Sequence, residues 1–451
     1  MLPIIFLVCT TVIKASLHVE AQPLQKTKAK QQPLSTATNK FGVDLLKRLP
    51  VNQEHVFFSP YSLSVALAML YHGARGVSEK ELSRVLGYEA AGLTRKDVLK
   101  GTELLLQELD RHDENITLEV ANAVLVPPKF PVVHAYAEDI ENIFEAFFKI
   151  VDFGTDTERA LAELNGWAKN KTRGKISSLV DALSEDTVMA LLNAVYFKAA
   201  WKNGFDDKST LKLPFYNYGK SPTQVSTMLR RGTYPHAFAW QLKADVLELP
   251  YAGDGFSMFI LLPRGRKGLI KTLKKVTAPK LIAATKKVKN TTVELRLPKF
   301  KLSTKYQLKE GLSKLGARSI FDQRDANFTG IVAFDYLYVS GVYHKATFGV
   351  NEKGSEAAAA TAVVIDVKSA ATKSFKVDHP FLFWIADKRE DTILFLGVVN
   401  ALSESSESTE APKNAGEAEN DWNGAWNTDE RHEEGDVVTD LTRGDGRRIS
   451  S

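Results

Sequence analysis

The chain has 451 residues, of which 44% are hydrophobic, 25% charged and 10% aromatic, a composition that supports a sizeable core and excludes disordered and collagen-like chains. Its one cysteine, Cys9, lies in a hydrophobic N-terminal stretch, which excludes a disulfide framework, a Cys-x-x-Cys zinc site and a thiol nucleophile. The net charge of +5 hides an asymmetry: residues 401–451 carry thirteen Asp/Glu against five Lys/Arg, so a tail of −8 follows a body of +13.

Leu2 to Val8 is almost wholly apolar, and Val19-Glu20-Ala21 places small side chains as a cleavage site requires, so residues 1–21 read as a signal peptide and the protein as secreted and extracellular. The run is too short to span a membrane, which takes about 20 apolar residues. Residues 22–36 read as a flexible N-terminal segment, 37–400 as one large domain uninterrupted by a Gly/Ser/Pro-rich linker, and 401–451 as an acidic, disordered tail. Four sequons, at Asn115, Asn170, Asn290 and Asn327, fit a glycoprotein on a secretory route.

Within the domain, Ser59-Pro60 opens an amphipathic helix with Leu63, Leu67 and Leu70 at helical spacing, since Ser caps and Pro suits the first turn. Ser78 and Glu81 have the spacing of a capping box, and Gly87 stops the run Glu79 to Leu86. Strands are predicted over Ile116 to Val126, Val188 to Phe197, Phe256 to Leu262, the alternation Val293/Leu295/Leu297, and Ile393 to Val399. Val188 to Phe197 is apolar on both faces, which predicts a central strand covered on both sides. Helices come mainly first and strands mainly later, an α+β order.

Between Arg264 and Lys289 there are ten Lys/Arg and no acidic residue. Lys267, Lys271, Lys274 and Lys275 have the spacing of one helix face. With Arg264 and Arg266 they form either a surface for a heparin-like glycosaminoglycan or a solvated basic face with no ligand. No aromatic residues interleave with these charges, which argues against nucleic acid.

No G-x-S-x-G elbow, H-E-x-x-H pair, phosphate-binding P-loop or G-x-G-x-x-G fingerprint occurs. His344 and His379 have no second histidine at metal spacing and read as satisfied structural residues. A hydrolase reading therefore has no nucleophile–base pair, and no metal or organic cofactor is expected.

From Asn351 to Ser369 the local preferences conflict, because four consecutive Ala favour helix whereas Val363, Val364, Ile365 and Val367 favour strand. The segment is either a short helix leading into an edge strand, or a loop in one state and a buried strand in another. It resembles the reactive-loop hinge of serpins, the serine protease inhibitor family. Further similar segments are Val56-Phe57-Phe58-Ser59-Pro60-Tyr61-Ser62, Asn165-Gly166-Trp167 with Thr172-Arg173-Gly174-Lys175-Ile176, and Leu192-Asn193-Ala194-Val195-Tyr196-Phe197-Lys198 with Trp201. The series closes with Asp378-His379-Pro380-Phe381 and Leu396-Gly397-Val398-Val399-Asn400. The match extends over roughly residues 37–400 and is similar to arthropod, particularly tick, secreted serpins. His55 departs from the pattern, in which many members carry Asn, and a local packing change is expected there.

The resemblance implies an α+β, serpin-like single large domain of three β-sheets surrounded by about nine helices, with an exposed reactive-centre loop at about 352–374. It implies a monomeric protease inhibitor, not an enzyme, that traps trypsin-like serine proteases irreversibly as a suicide substrate. With the hinge Glu352 counted as first, the seventeenth residue is Lys368, which places the reactive bond between Lys368 and Ser369. The loop hinge comprises Glu352, Gly354, Ser355, Glu356, Ala357, Ala358, Ala359, Ala360 and Thr361. Ser59, Ser62, Asn193 and His344 correspond to a polar cluster where the strands part, and Trp201, Lys299 and Glu352 to the site where the loop first enters the sheet. The competing reading is a non-inhibitory binding or carrier protein on the same fold, acting through its basic surface.

Overall fold

The periodicities of the sequence resolve into nine α-helices and fifteen β-strands among the residues described by this computed structural model, which are 23–404 apart from 54, 110–115, 254, 334–335 and 356–371. The helices are α1 (Pro23–Leu46), α2 (Pro60–Gly73), α3 (Gly76–Val85), α4 (Arg95–Leu109), α5 (His134–Asn142), α6 (Thr157–Lys171), α7 (Leu269–Leu273), α8 (Ala278–Thr285) and α9 (Lys309–Leu315). The first strands are β1 (Val56–Phe58), β2 (Ile116–Val126), β3 (Phe147–Ile150), β4 (Ala190–Ala200), β5 (Thr210–Tyr216), β6 (Pro222–Ala239), β7 (Ala244–Pro250) and β8 (Phe256–Pro263). They are followed by β9 (Lys289–Pro298), β10 (Phe300–Gln307), β11 (Gly341–Val350), β12 (Gly354–Ser355), β13 (Lys373–Lys376), β14 (Phe381–Asp387) and β15 (Thr392–Val399). The signal segment 1–21, residues 405–451 of the tail, Asn115, and Glu356 to Thr361 with Lys368 and Ser369 lie outside the described residues.

The strands join into two hydrogen-bonded sheets, where three were expected. Sheet I has nine strands in the order β1-β15-β14-β8-β7-β6-β9-β13, with β5 also paired to β6. The count falls to two because β6 is 18 residues long and serves two layers: its first half pairs with β5 and its last residues pair with β7. Sheet II runs β10-β11-β4-β2-β3, with the two-residue β12 added on β4. Its central strands β4 and β11 are parallel, and each is antiparallel to its outer neighbour.

β4 shows why an apolar run on both faces makes a central strand. Leu191, Val195 and Phe197 enter the large core between the sheets, whereas Ala190, Leu192 and Ala194 point to a second cluster under α6, with Leu164 and Ala168. The period-2 alternation of strand side chains divides the run between the two cores. On the inner side lies α2, apolar nearly all round and buried along its length. It starts where the sequence predicts: Ser59 is extended, and its hydroxyl accepts the Ser62 amide at 3.0 Å.

Two local expectations are corrected. Residues 22–36 are not a flexible segment from Pro23 onward, because α1 begins there; Leu34, Ala37, Phe41 and Leu45 supply its buried stripe. The Gln/Lys-rich start offers no apolar periodicity to read, but those residue types are good helix formers. Ser78 and Glu81 do not form a capping box, since α3 begins at Gly76 and both lie inside it. Their side chains instead tie down the chain near Ser319: Ser78 Oγ accepts the Asn327 amide, and Glu81 accepts the Arg318 and Ser319 amides. Gly87 does end the run, with φ +79° immediately after the Leu86 cap.

Aromatic rings fill the space between the sheets. Phe57 of β1 is fully buried and stacks on Phe348 of β11 (5.1 Å), Phe395 of β15 (5.4 Å) and Phe383 of β14 (6.0 Å). Such pairs add to their area burial. Phe57→Ala should therefore cost about 3–5 kcal/mol of stability, measured as a lowered unfolding midpoint in denaturant; a loss below about 1 kcal/mol would show that the rings repack without it.

Candidate functional site

The β4–β11 ladder runs from Ala190 and Gly341 to Tyr196 and Thr347, and there the paired register ends. The chain leaves β11, turns at Asn351, and comes back along β4 in the opposite direction, with Gly354 opposite Ala200 and Ser355 opposite Ala199. Only glycine fits at 354, since a Cβ there would lie 2.1 Å from the Ala199 carbonyl oxygen. A strand placed between two parallel strands can be antiparallel to both, and β12 has the direction such a strand needs.

The turn is held from several sides. The Trp201 amide donates to the Lys353 carbonyl at 3.0 Å, and its indole Nε1–H donates to the Asn351 carbonyl at 2.9 Å. Lys299 Nζ lies 2.9 Å from Glu352 Oε2, and the Thr210 hydroxyl donates to Glu352 Oε1 at 2.7 Å. Burial pushes the Glu352 carboxyl up, but the hydrogen bonds from Thr210 and Lys299 outweigh it and hold the group below the ordinary glutamate range. The residues expected where the loop enters, Trp201, Lys299 and Glu352, are thus in one place.

Ser355 is fully buried, and its hydroxyl meets the Tyr251 phenol at 2.6 Å. Tyr251 is itself buried and stacked on Trp201 at 4.6 Å, and desolvation pushes its acidity further from the physiological range. Neither Tyr251 nor Thr210 was legible in the sequence as part of this site, because both lie far from the hinge along the chain and no local pattern joins them to it.

The second group, Ser59, Ser62, Asn193 and His344, is also contiguous. His344 of β11 and Asn193 of β4 are register partners across the parallel ladder, and His344 Nδ1 lies 2.6 Å from Asn193 Oδ1. The Asn193 amide nitrogen donates to the Ser62 hydroxyl and to Asn122 Oδ1, while the Ser59 amide donates to His344 Nε2 at 3.3 Å. Nδ1 therefore carries the proton and Nε2 accepts, so His344 is neutral; desolvation holds it down to about 3.

The other sequence candidates are dispersed. Both ring nitrogens of His379 are engaged, by Asp378 and by the Pro263 carbonyl. Among the described residues no three His, Cys, Asp or Glu are placed to hold a metal ion. His55 accepts the Asn400 amide at 3.4 Å and is held below its ordinary value by burial. Asn170 and Asn290 are exposed and Asn327 is half-buried. Arg264, Arg266, Lys267, Lys271 and Lys274 are exposed and Lys275 is half-buried. Of the four lysines expected on one helix face, Lys271 lies in α7 (Leu269–Leu273) and Lys274 caps it, whereas Lys267 and Lys275 lie outside the helix; the backbone is extended at Thr277, and Pro279 lies in the first turn of the next helix. Two of the cations rest on aromatic rings distant in sequence: Arg264 lies over Phe238 at 3.8 Å and Arg266 over Tyr216 at 3.4 Å.

A pH dependence arises from His344. Above its unfolded value of 6.5 both states are neutral, and His344 has no effect. As the pH falls below 6.5 the unfolded chain takes up a proton that the folded chain refuses, so stability is lost by about 1.4 kcal/mol per pH unit toward the folded value. Between pH 6 and 4, thermal unfolding of the native chain should fall more steeply than that of His344→Gln; parallel curves would contradict the buried neutral ring.

The sequence matches the family model for serpins, serine protease inhibitors, over residues 36–402. It is 40% identical over 373 residues to Iripin-1 of Ixodes ricinus, covering 82% of this chain and 95% of that protein. It is 37% identical over 373 residues to Intracellular coagulation inhibitor 1 of Tachypleus tridentatus, covering 82% and 89%. The fold is similar to the solved structure of human thyroxine-binding globulin, with a TM-score of 0.76 at 27% identity, covering 83% of this chain and 100% of that one. The α+β architecture, the parallel central pair with the hinge turned back beside it, and the family match over four-fifths of the chain agree: this protein belongs to the serpin family of serine protease inhibitors.

Proposed function

We propose that the protein is a secreted inhibitor that traps trypsin-like serine proteases irreversibly, with Lys368 as the bait residue. The observation that carries this reading is Ser355, already buried and paired antiparallel to β4 where the β4–β11 ladder ends. Ala357, Ala359 and Thr361, at every second position after it in the sequence, are small enough to follow on that face once the segment is a strand.

In this mechanism the protease serine adds to the Lys368 carbonyl, the bond to Ser369 breaks, and Ser369 leaves as a free amine while Lys368 is held as an acyl ester. The two halves of the loop then have different anchors. Residues after the cut stay with β13, paired to β9 in sheet I, whereas residues before it continue from β12 into sheet II. Fourteen residues from Ser355 to Lys368 extend about 45 Å at roughly 3.3 Å each, which carries the bound protease along the sheet before the ester is hydrolysed. Lys368 fits a deep primary pocket with an acid at its base. Glu352, Lys299 and Trp201 position the hinge, and the Ser59, Ser62, Asn193 and His344 cluster gates the parting of β4 from β11.

The second reading, a binding or carrier role through a heparin-like glycosaminoglycan, is favoured by the exposure of Arg264, Arg266, Lys267, Lys271 and Lys274. The two readings separate on incubation with trypsin at near-equal molar amounts. Trapping gives a complex that survives denaturing electrophoresis and a released fragment whose mass begins at Ser369; clean cleavage without complex rejects it. Lys368→Ala should lower the rate of trypsin inhibition at least a hundredfold. Ser355→Arg, which forces a charge into a site of zero exposure at a cost of several kcal/mol, should leave cleavage intact and abolish the stable complex.

A further inference from the structure

Trp240 is the most exposed large hydrophobic side chain among the described residues, at 79%, and it stands in the turn between β6 and β7. Burial of an indole is strongly favourable, so one left in solvent beside ordered cations marks a surface made for contact. Its ring packs edge-on against Phe238 at 4.7 Å, and the Arg264 guanidinium covers the same Phe238. Lys243, at φ +53° in the turn, adds a second exposed cation.

The nearby carboxylate does not cancel this charge. Asp245 lies opposite Phe238 in the β6–β7 ladder and is bound by Lys373 Nζ at 2.8 Å and His236 Nε2 at 2.9 Å, with Arg264 Nε at 3.7 Å. Lys373 is the first residue of β13, and Thr372 before it accepts from Arg231 at 3.0 Å. The Trp240 surface is therefore continuous with the point where the reactive loop rejoins the body.

We propose that Trp240, with Phe238, Arg264 and Lys243, is a docking surface for the target protease outside the reactive bond, engaging an apolar side chain flanked by carboxylates on the rim of the protease cleft. The proposal rests on the trapping reading for its partner. Reach supports it: Ser369 is four residues before Lys373, so a protease seated on the Lys368–Ser369 bond lies within about 14 Å of the Lys373 backbone at full extension, and the Lys373 side chain reaches Asp245 from there. Tryptophan and arginine are the residue types that dominate protein–protein binding energy, and the net positive rim selects an acidic counterpart and speeds encounter.

The test uses the full chain and trypsin, thrombin and factor Xa, each with its active-site serine replaced by alanine, so that encounter is measured without acylation. Trp240→Ala should weaken binding to at least one of the three fivefold or more, Trp240→Phe should retain most of the affinity, and Arg264→Gln should flatten its salt dependence. The unfolding midpoint of each variant should equal that of the native chain, since Trp240 contributes little to the core. Equal affinity of Trp240→Ala and native chain for all three proteases overturns the proposal, as does concentration-dependent self-association of the native chain that Trp240→Ala abolishes, which would assign the surface to a second copy. Failure of the trapping reading is seen separately, as the absence of a denaturation-resistant complex between active trypsin and the native chain.

Discussion

Two strands that run the same way, hydrogen-bonded to each other at the centre of a sheet, organise the rest of this molecule. β4 and β11 are parallel neighbours, and the connection of about 140 residues between them supplies β5 to β9 of sheet I, β10 of sheet II and helices α7 to α9. The same arrangement fixes the course of the chain beyond β11, because a tight turn can only send it back antiparallel to its partner. The antiparallel return beside β4 is thus a topological consequence of the pairing, and Trp201, Lys299 and Thr210 hold it in place.

The pairing is held by polar groups where apolar side chains would have sufficed. Asn193 and His344 sit opposite each other in the ladder, and their bonds extend to the start of α2 and across to β2. A buried network of this kind contributes little net stability but is costly to leave half made. Of these bonds, the one between Asn193 Oδ1 and His344 Nδ1 crosses directly from β4 to β11. The two polar groups differ in character: aromatic stacking and an ion pair hold the turn at Trp201, Tyr251, Lys299 and Glu352, whereas the Asn193–His344 network lies against the start of α2.

The sequence was most legible where one local rule acted alone. The strand boundaries at Ile116 to Val126 agree with β2 to the residue, and the cap at Ser59 behaved as its neighbours required, because alternation and capping are properties of a few adjacent residues. Ser78 and Glu81 had a capping pattern but were drawn to the distant amides of Asn327, Arg318 and Ser319, a tertiary demand that spacing does not reveal. The same limit explains the basic run, where α7 spans only Leu269–Leu273 and does not carry Lys267, Lys271, Lys274 and Lys275 together, while Arg264 and Arg266 rest on aromatic rings of β6 and β5. Of the hinge, resemblance supplied Trp201, Lys299 and Glu352, while Tyr251 emerged only from the packing.

The N-terminal helix is tied to one of the last strands of the chain. Asn39 donates to the Asp391 carbonyl and accepts the Ile393 amide, the Thr392 hydroxyl donates to Ser35, and β1 pairs with β15. During synthesis these early segments leave the ribosome some 350 residues ahead of their partners, an interval on the order of 20–70 s at 5–20 residues per second. For that time Phe57 and its neighbours have no β15 to meet, and α1 no strand end to grip. The packing of α1 and β1 is therefore completed only after the chain through Asn400 has left the exit tunnel.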